Sequence, residues 1–185
     1  MPSWVKNSIT FRSVEARDRF LNLAVPVHKP NTFDFNWFIP APETKKDCPD
    51  KFIIDETDAH LERIPGKEWF NWFDWNVCSW GTKWPASMVS YDGPVITFET
   101  AWSPPEPVFR RIYEIGGGLI EKILYVDESP NFAGEFCSDT LTCSDFVSID
   151  DIYNTYNALW GQTWTKDPET GDWDLVDEEK QQENS

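Results

Sequence analysis

The sequence predicts an α+β domain: a ferredoxin-like antiparallel sheet with two main helices packed on one face, plus a Trp-rich insertion and an acidic C-terminal tail. Three observations predict it. The elements run strand, helix, strand, insertion, strands, helix, strands, which is two βαβ-like halves around one sheet. A chain of 185 residues with 40% apolar side chains can fill one core. The segment Lys166–Ser185 holds eight acids against Lys166 and Lys180, with only Trp173, Leu175 and Val176 as large apolar residues. That is too little apolar surface to order so much charge. Residues 1–160 are therefore expected to form a single domain, with the insertion at about 43–75, and residues 161–185 an acidic, largely disordered tail.

Trp4–Phe11 mixes β-branched and aromatic residues and predicts a first strand. Ser13 is a suitable N-cap for a helix over Val14–Ala24, with Val14, Phe20, Leu21 and Ala24 on one face. Thr32–Ile39 alternates Phe33, Phe35 and Trp37 with Asp34, Asn36 and Phe38 and predicts a second strand. Within the insertion, Phe52–Ile54 is an apolar patch and Asp58–Ile64 a candidate short helix. Lys67–Asp74 has helical spacing at Trp69, Phe70 and Phe73, and Asn76–Lys83 reads as extended.

Ser87–Tyr91 and Val95–Ala101 flank Asp92-Gly93-Pro94 and predict a hairpin. Ser103 is the expected cap of the second main helix, entered through Pro104 and Pro105, buried at Val108, Phe109, Ile112 and Tyr113, and stopped by Gly116–Gly118. Leu119–Val126 and Phe132–Cys137 predict two further strands. Ile149–Leu159 predicts a last helix capped by Asp150 or Asp151.

The net charge of −16 disfavours binding to a phosphate backbone or an anionic membrane, which needs clustered Lys and Arg. It is compatible with solubility alone, with docking to a basic protein, or with mimicry of nucleic-acid charge. Aromatic residues are abundant enough to suggest base stacking, but the basic surround of an RNA-binding sheet is missing. Cys48, Cys78, Cys137 and Cys143 contain no CxxC pair, and His28 and His60 are the two histidines. Neither a zinc site nor any other metal or cofactor is expected. With no leader pattern and no apolar run near 18 residues, the expected location is the cytoplasm, with reduced thiols.

The densest chemistry lies at Trp69–Trp84, with five tryptophans in sixteen residues. Trp80-Gly81-Thr82-Lys83-Trp84 reads in two ways. Lys83 between two indoles can make a cation–π contact or reach an anion, with Gly81 permitting a close turn. Alternatively both indoles enter the core and the lysine stem covers them. Trp102, where a strand passes into a helix, would complete an aromatic cleft or plug the core. Tyr125 and Asp127 are candidates for the cleft's polar rim. No phosphate loop, dinucleotide fingerprint, HExxH motif or nucleophile–base set occurs in the sequence, so no catalytic residue is nominated.

Five strings occur in order: MPSWVKN at Met1–Asn7, FDFNWFIPAP at Phe33–Pro42, WNVCSWGTKWPA at Trp75–Ala86, ITFETAWSPPEPV at Ile96–Val108 and YVDESPNFAGEF at Tyr125–Phe136. Together they resemble the YubB-type ferredoxin-like family of plasmid and phage proteins. The resemblance covers about three quarters of the chain. It departs at Val5, where the family usually has Cys, and at Asp127, where it usually has Glu followed by a glycine-containing turn. Asp127 stands one methylene shorter. The resemblance implies a mobile-element accessory protein of the bacterial host cytoplasm. The expected function is non-enzymatic binding of a host protein through an acidic or Trp-rich surface. The alternative is binding or sequestering a small, nucleotide-like anionic ligand in the cleft around Trp80, Lys83, Trp84 and Trp102.

Overall fold

A computed structural model describes residues 3–24, 33–54, 61 and 63–176. His28, His60, most of the candidate helix at 58–64 and the acidic residues from 177 onward lie outside the described residues.

The first strand, β1 (Trp4–Phe11), is central. Its neighbours are β3 (Val95–Ala101) on one side and β4 (Ile120–Asp127) on the other. The hairpin partner β2 (Ser87–Asp92), with β5 (Ala133–Cys137) and β6 (Thr142–Asp145), completes a six-stranded antiparallel sheet. The order is β2-β3-β1-β4-β5-β6. Period-2 alternation assigns Val5, Asn7 and Ile9 to one face, together with their partners Thr100, Phe98 and Ile96 on β3 and Asp127, Tyr125 and Ile123 on β4.

That face is covered by α1 (Val14–Ala24) and α3 (Glu106–Gly116). Phe20 of α1 packs on Phe11, and Phe109 of α3 packs on Phe98 and Phe136. The Ser13 hydroxyl accepts from the Ala16 amide and caps α1 as expected. Val14, however, is exposed rather than part of the buried face. The opposite sheet face is covered by α4 (Ile149–Trp160), whose Ile152 and Tyr156 bury Val126 and Ala133. The fold is a mixed α+β arrangement with four helices among the described residues and helices on both faces of the sheet.

Several expectations are corrected. The described part of the strand expected at Thr32–Ile39, residues 33–39, is not a strand. Asp34 Oδ1 accepts from the Asn36 amide, and the Phe38 and Ile39 amides return to the Phe35 carbonyl, winding a 3₁₀ turn at Phe35–Trp37. The turn sends Phe33, Phe35 and Phe38 together into the core. An Asx side chain at the start of the run outcompetes its alternating aromatics.

The helix expected at Lys67–Asp74 and the extended segment expected at Asn76–Lys83 are replaced by one helix, α2 (Trp72–Trp80). Asn71 accepts from the Asp74 amide as its N-cap, and Gly81 closes it in the left-handed conformation, φ 80. Between these caps Trp72, Trp75, Asn76 and Trp80 recur at helical spacing.

Ser103 does not cap α3, because Pro105 occupies that position and the Ser103 hydroxyl donates to the Gly81 carbonyl instead. Ser148, not Asp150 or Asp151, caps α4 by accepting from the Asp151 amide. β6 was not expected from the sequence. The stretch after α4, expected as tail, carries a two-stranded hairpin of β7 (Trp164–Lys166) and β8 (Trp173–Leu175). Tyr153 of α4 stacks on Trp173 at 4.7 Å and contacts Trp164 at 5.1 Å, and Asn157 and Asp150 of the same helix bind Trp164, Lys166 and Trp173, which holds this acidic segment on the helix. No helix among the described residues is long and apolar enough to cross a membrane.

Candidate functional site

Four chain segments meet at one end of the sheet: the start of β1, the ends of β3 and β4, and the turn after α2. Backbone bonds tie them. Trp102 N donates to Ser3 O, and Glu128 N donates to Trp4 O, both at 2.8 Å. Side chains complete the frame. The Thr82 hydroxyl donates to Ala101 O at 2.8 Å, Ser103 to Gly81 O at 2.6 Å and Thr100 to Ser103 O at 2.8 Å. Asn7 Nδ2 supports Thr100 Oγ1 from below at 2.9 Å. Gly81 is required here for two reasons. Its φ is left-handed, and a Cβ would lie 2.8 Å from Pro107 Cδ at the start of α3.

On this frame Lys83 sits among three rings. Its ammonium lies 4.6 Å from the centre of a Trp84 ring, 5.2 Å from Trp102 and 5.5 Å from Phe73. Phe73 and Trp102 meet edge to face at 6.2 Å, and Trp84 leans on Trp4 at 5.8 Å. Trp102 is 45% exposed and Phe73 36% exposed. Trp102 also has φ 70, a left-handed conformation that bulky residues rarely adopt.

The expected site residues therefore divide. Lys83, Trp84 and Trp102 come together at the surface. Trp80 does not join them: it is 3% exposed, donates its indole N–H to Ile39 O at 2.9 Å, and packs against Phe35 and Trp75. Thr82 and Gly81 belong to the frame. Tyr125 is buried, and its hydroxyl turns toward β6, donating to Asp145 Oδ1 at 2.7 Å. Asp127 is also buried, with its carboxylate accepting from Ser3 Oγ and from Asn131 Nδ2 at 2.6 Å. It fastens the chain start to the β4–β5 turn and forms no exposed rim.

Sequence reasoning missed Phe73 and Trp4 as members of the aromatic surface. Once α2 is known to begin at Trp72, the i, i+4 pair Phe73 and Val77, both exposed, shows which stripe of the helix faces out. On the other side of Trp84 lies a cleft of about 450 Å³ lined by Phe70, Trp72, Asn76, Trp80 and Trp84, with Arg63 and Lys67 at its margin. Lys67 Nζ donates to Pro42 O at 2.8 Å, and Asn76 Nδ2 donates to Lys83 O at 2.8 Å. Among the described residues no group of three or more His, Cys, Asp or Glu side chains is placed to hold a metal ion. No protein-family model, no curated protein and no solved structure matches the chain.

The thiols differ sharply in environment. Cys78 is exposed on α2, whereas burial, and then the Glu106 carboxylate, push Cys143 up to about 12. A thiol reagent at pH 8 is expected to modify Cys78 first and the half-buried Cys143 much later, read by peptide mass. Early modification of Cys143 would contradict its burial. Because the folded-state value is raised, the fold favours the neutral thiol. The stabilisation from Cys143 is full below its ordinary value of 9.0 and is lost as pH rises from there toward about 12. Cys143→Ala should shallow the alkaline fall in melting temperature.

Proposed function

We propose that this protein is a non-enzymatic accessory protein of a phage or related mobile element, acting in a bacterial host by docking on a basic host protein. The observation that carries the reading is the aromatic cluster of exposed Phe73 and Trp102 with half-buried Trp84 around Lys83, on a chain of net charge −16. Tryptophan contributes more binding energy per residue than almost any other side chain, and exposed clusters of large aromatics mark interaction surfaces. Long-range attraction from the acidic remainder speeds the approach of a cationic partner. The resemblance of five ordered strings to plasmid and phage proteins supports the source, and the bacterial cytoplasm is the compartment that goes with it.

The ferredoxin-like assignment belongs to the same proposal. The order β2-β3-β1-β4, all antiparallel, with α1 and α3 on one face, supports it. The added β5, β6 and α4 extend that unit.

The test compares wild type with Trp102→Ala as bait in host lysate at low and high salt. A host protein held by wild type at low salt, released by salt and lost with Trp102→Ala is the expected result. The variant should melt within about 2 °C of wild type, since the side chain is half exposed and away from the main core. Equal retention by both baits, or no salt-sensitive partner, would refute the docking reading.

One observation favours a second reading, a small anionic ligand. The cleft beside Trp84 falls within the size range of small-molecule sites and combines four aromatic walls with Arg63 and Lys67. A native mass spectrum of the purified protein would then show an excess of a few hundred daltons released by heat, and a bare apo mass would count against this reading.

A further inference from the structure

We propose that Phe73, Trp84 and Trp102 form a recognition cage for an arginine or lysine side chain of the partner, and that Lys83 occupies this cage in the free protein as an internal stand-in. The inference rests on the docking reading and adds the chemical group that is recognised. Aromatic faces carry negative electrostatic potential, so three rings around one point select a cation over a neutral group of the same shape. The structure places a cation there already: the Lys83 ammonium lies 4.6–5.5 Å from all three ring centres.

Two further observations separate a cage from an incidental cluster. Among the described residues no carboxylate forms a salt bridge with Lys83, so the rings hold its ammonium without an ionic partner. Its backbone is fixed independently, because Lys83 O accepts from Asn76 Nδ2 and the preceding Thr82 is anchored to Ala101 O. The side chain can therefore leave the rings without disturbing the turn. Trp102, in turn, is held outward at φ 70 by the bond from its amide to Ser3 O. A strained backbone persists only where the surroundings impose it, and such positions concentrate at binding sites.

The occupant follows from charge. A chain of net −16 meets cationic segments preferentially; exposed Asp74 follows Phe73 on α2, and exposed Glu128 is tied by its amide to Trp4 O, whose indole leans on Trp84. A partner arginine, whose flat guanidinium stacks on indoles, would displace the Lys83 ammonium into solvent.

The experiment titrates the full chain with tetramethylammonium chloride and follows the indole N–H signals of Trp84 and Trp102 by NMR. Neopentyl alcohol serves as the neutral probe of the same shape. Lys83→Met opens the cage by removing the ammonium while keeping most of the apolar stem. It is expected to bind tetramethylammonium roughly tenfold more tightly than wild type, with no saturable response to the alcohol. Adding Trp102→Leu to Lys83→Met should erase the response. Lys83→Gln serves as a second opened form, and thermal melts establish that each variant is folded. An equal response to cation and alcohol, or equal cation binding by wild type and Lys83→Met, overturns the cage. If Trp102→Ala loses the host partner while these titrations are negative, docking stands and the cage inference alone falls. If the titrations succeed while Trp102→Ala keeps the partner, the docking reading falls and the cation site remains.

Discussion

Gly134→Ala is expected to cost about 3 kcal/mol or more, a large share of the roughly 5–15 kcal/mol that holds a domain of this kind together. Gly134 lies in β5 between β4 and β6, opposite Tyr125 and Asp145. The Tyr125 ring crosses over it so that the phenol can donate to the Asp145 carboxylate. A Cβ at Gly134 would overlap both the Tyr125 hydroxyl and the Ser144 carbonyl oxygen. The first could move only by giving up a buried hydrogen bond, and the second is backbone held in the β5–β6 ladder. Gly118→Ala is the matched control, because nothing lies within 4 Å of its added Cβ. Urea denaturation of both variants checks the expectation. A Gly134→Ala midpoint equal to that of Gly118→Ala would mean that β5 and β6 are not packed as described.

Trp80→Ala is expected to cost about 3–5 kcal/mol, against almost nothing for Trp102→Ala. The Trp80 indole fills the space between Phe35 and Trp75 and donates to the Ile39 carbonyl. Its removal leaves a cavity and an acceptor without its donor. Trp80→Phe should fall between, restoring most of the packing and none of the hydrogen bond. Two tryptophans in one nominated site would thus separate into a core residue and a surface residue. The measurement is again a denaturation midpoint, with far-UV circular dichroism before unfolding. A Trp80→Ala protein of wild-type stability would return Trp80 to the binding surface.

How far the sequence reached depended on how local the deciding interactions are. The cap at Ser13 and the hairpin turn at Asp92-Gly93 are settled within a few residues, and β1, α1, β2 and β3 follow the expected ranges closely. The second expected strand failed because a single Asp34 bond redirects a run whose aromatic alternation reads as extended. The boundaries of α2 failed because apolar residues occur on every side of it, leaving its weak periodicity to be settled by Asn71 and Gly81. β6 is short and half exposed, and only its partner β5 identifies it as a strand.

The sequence by itself determined the α+β class, the first strand, the two helices of the main face, the acidity, and the adjacency of Lys83 and Trp84. Those depend on composition, on local caps and on neighbours in the chain. The tertiary structure decided which aromatics are core and which are surface. It buried Trp80, Tyr125 and Asp127, exposed Phe73 and Trp102, and brought Ser3 and the first β1 residue, Trp4, against the ends of β3 and β4. Burial is a property of what packs opposite a residue, and for these side chains the opposing group lies far away in sequence: Ile39 for Trp80, Asp145 for Tyr125, Ser3 for Asp127. No periodicity within a single element encodes those pairings.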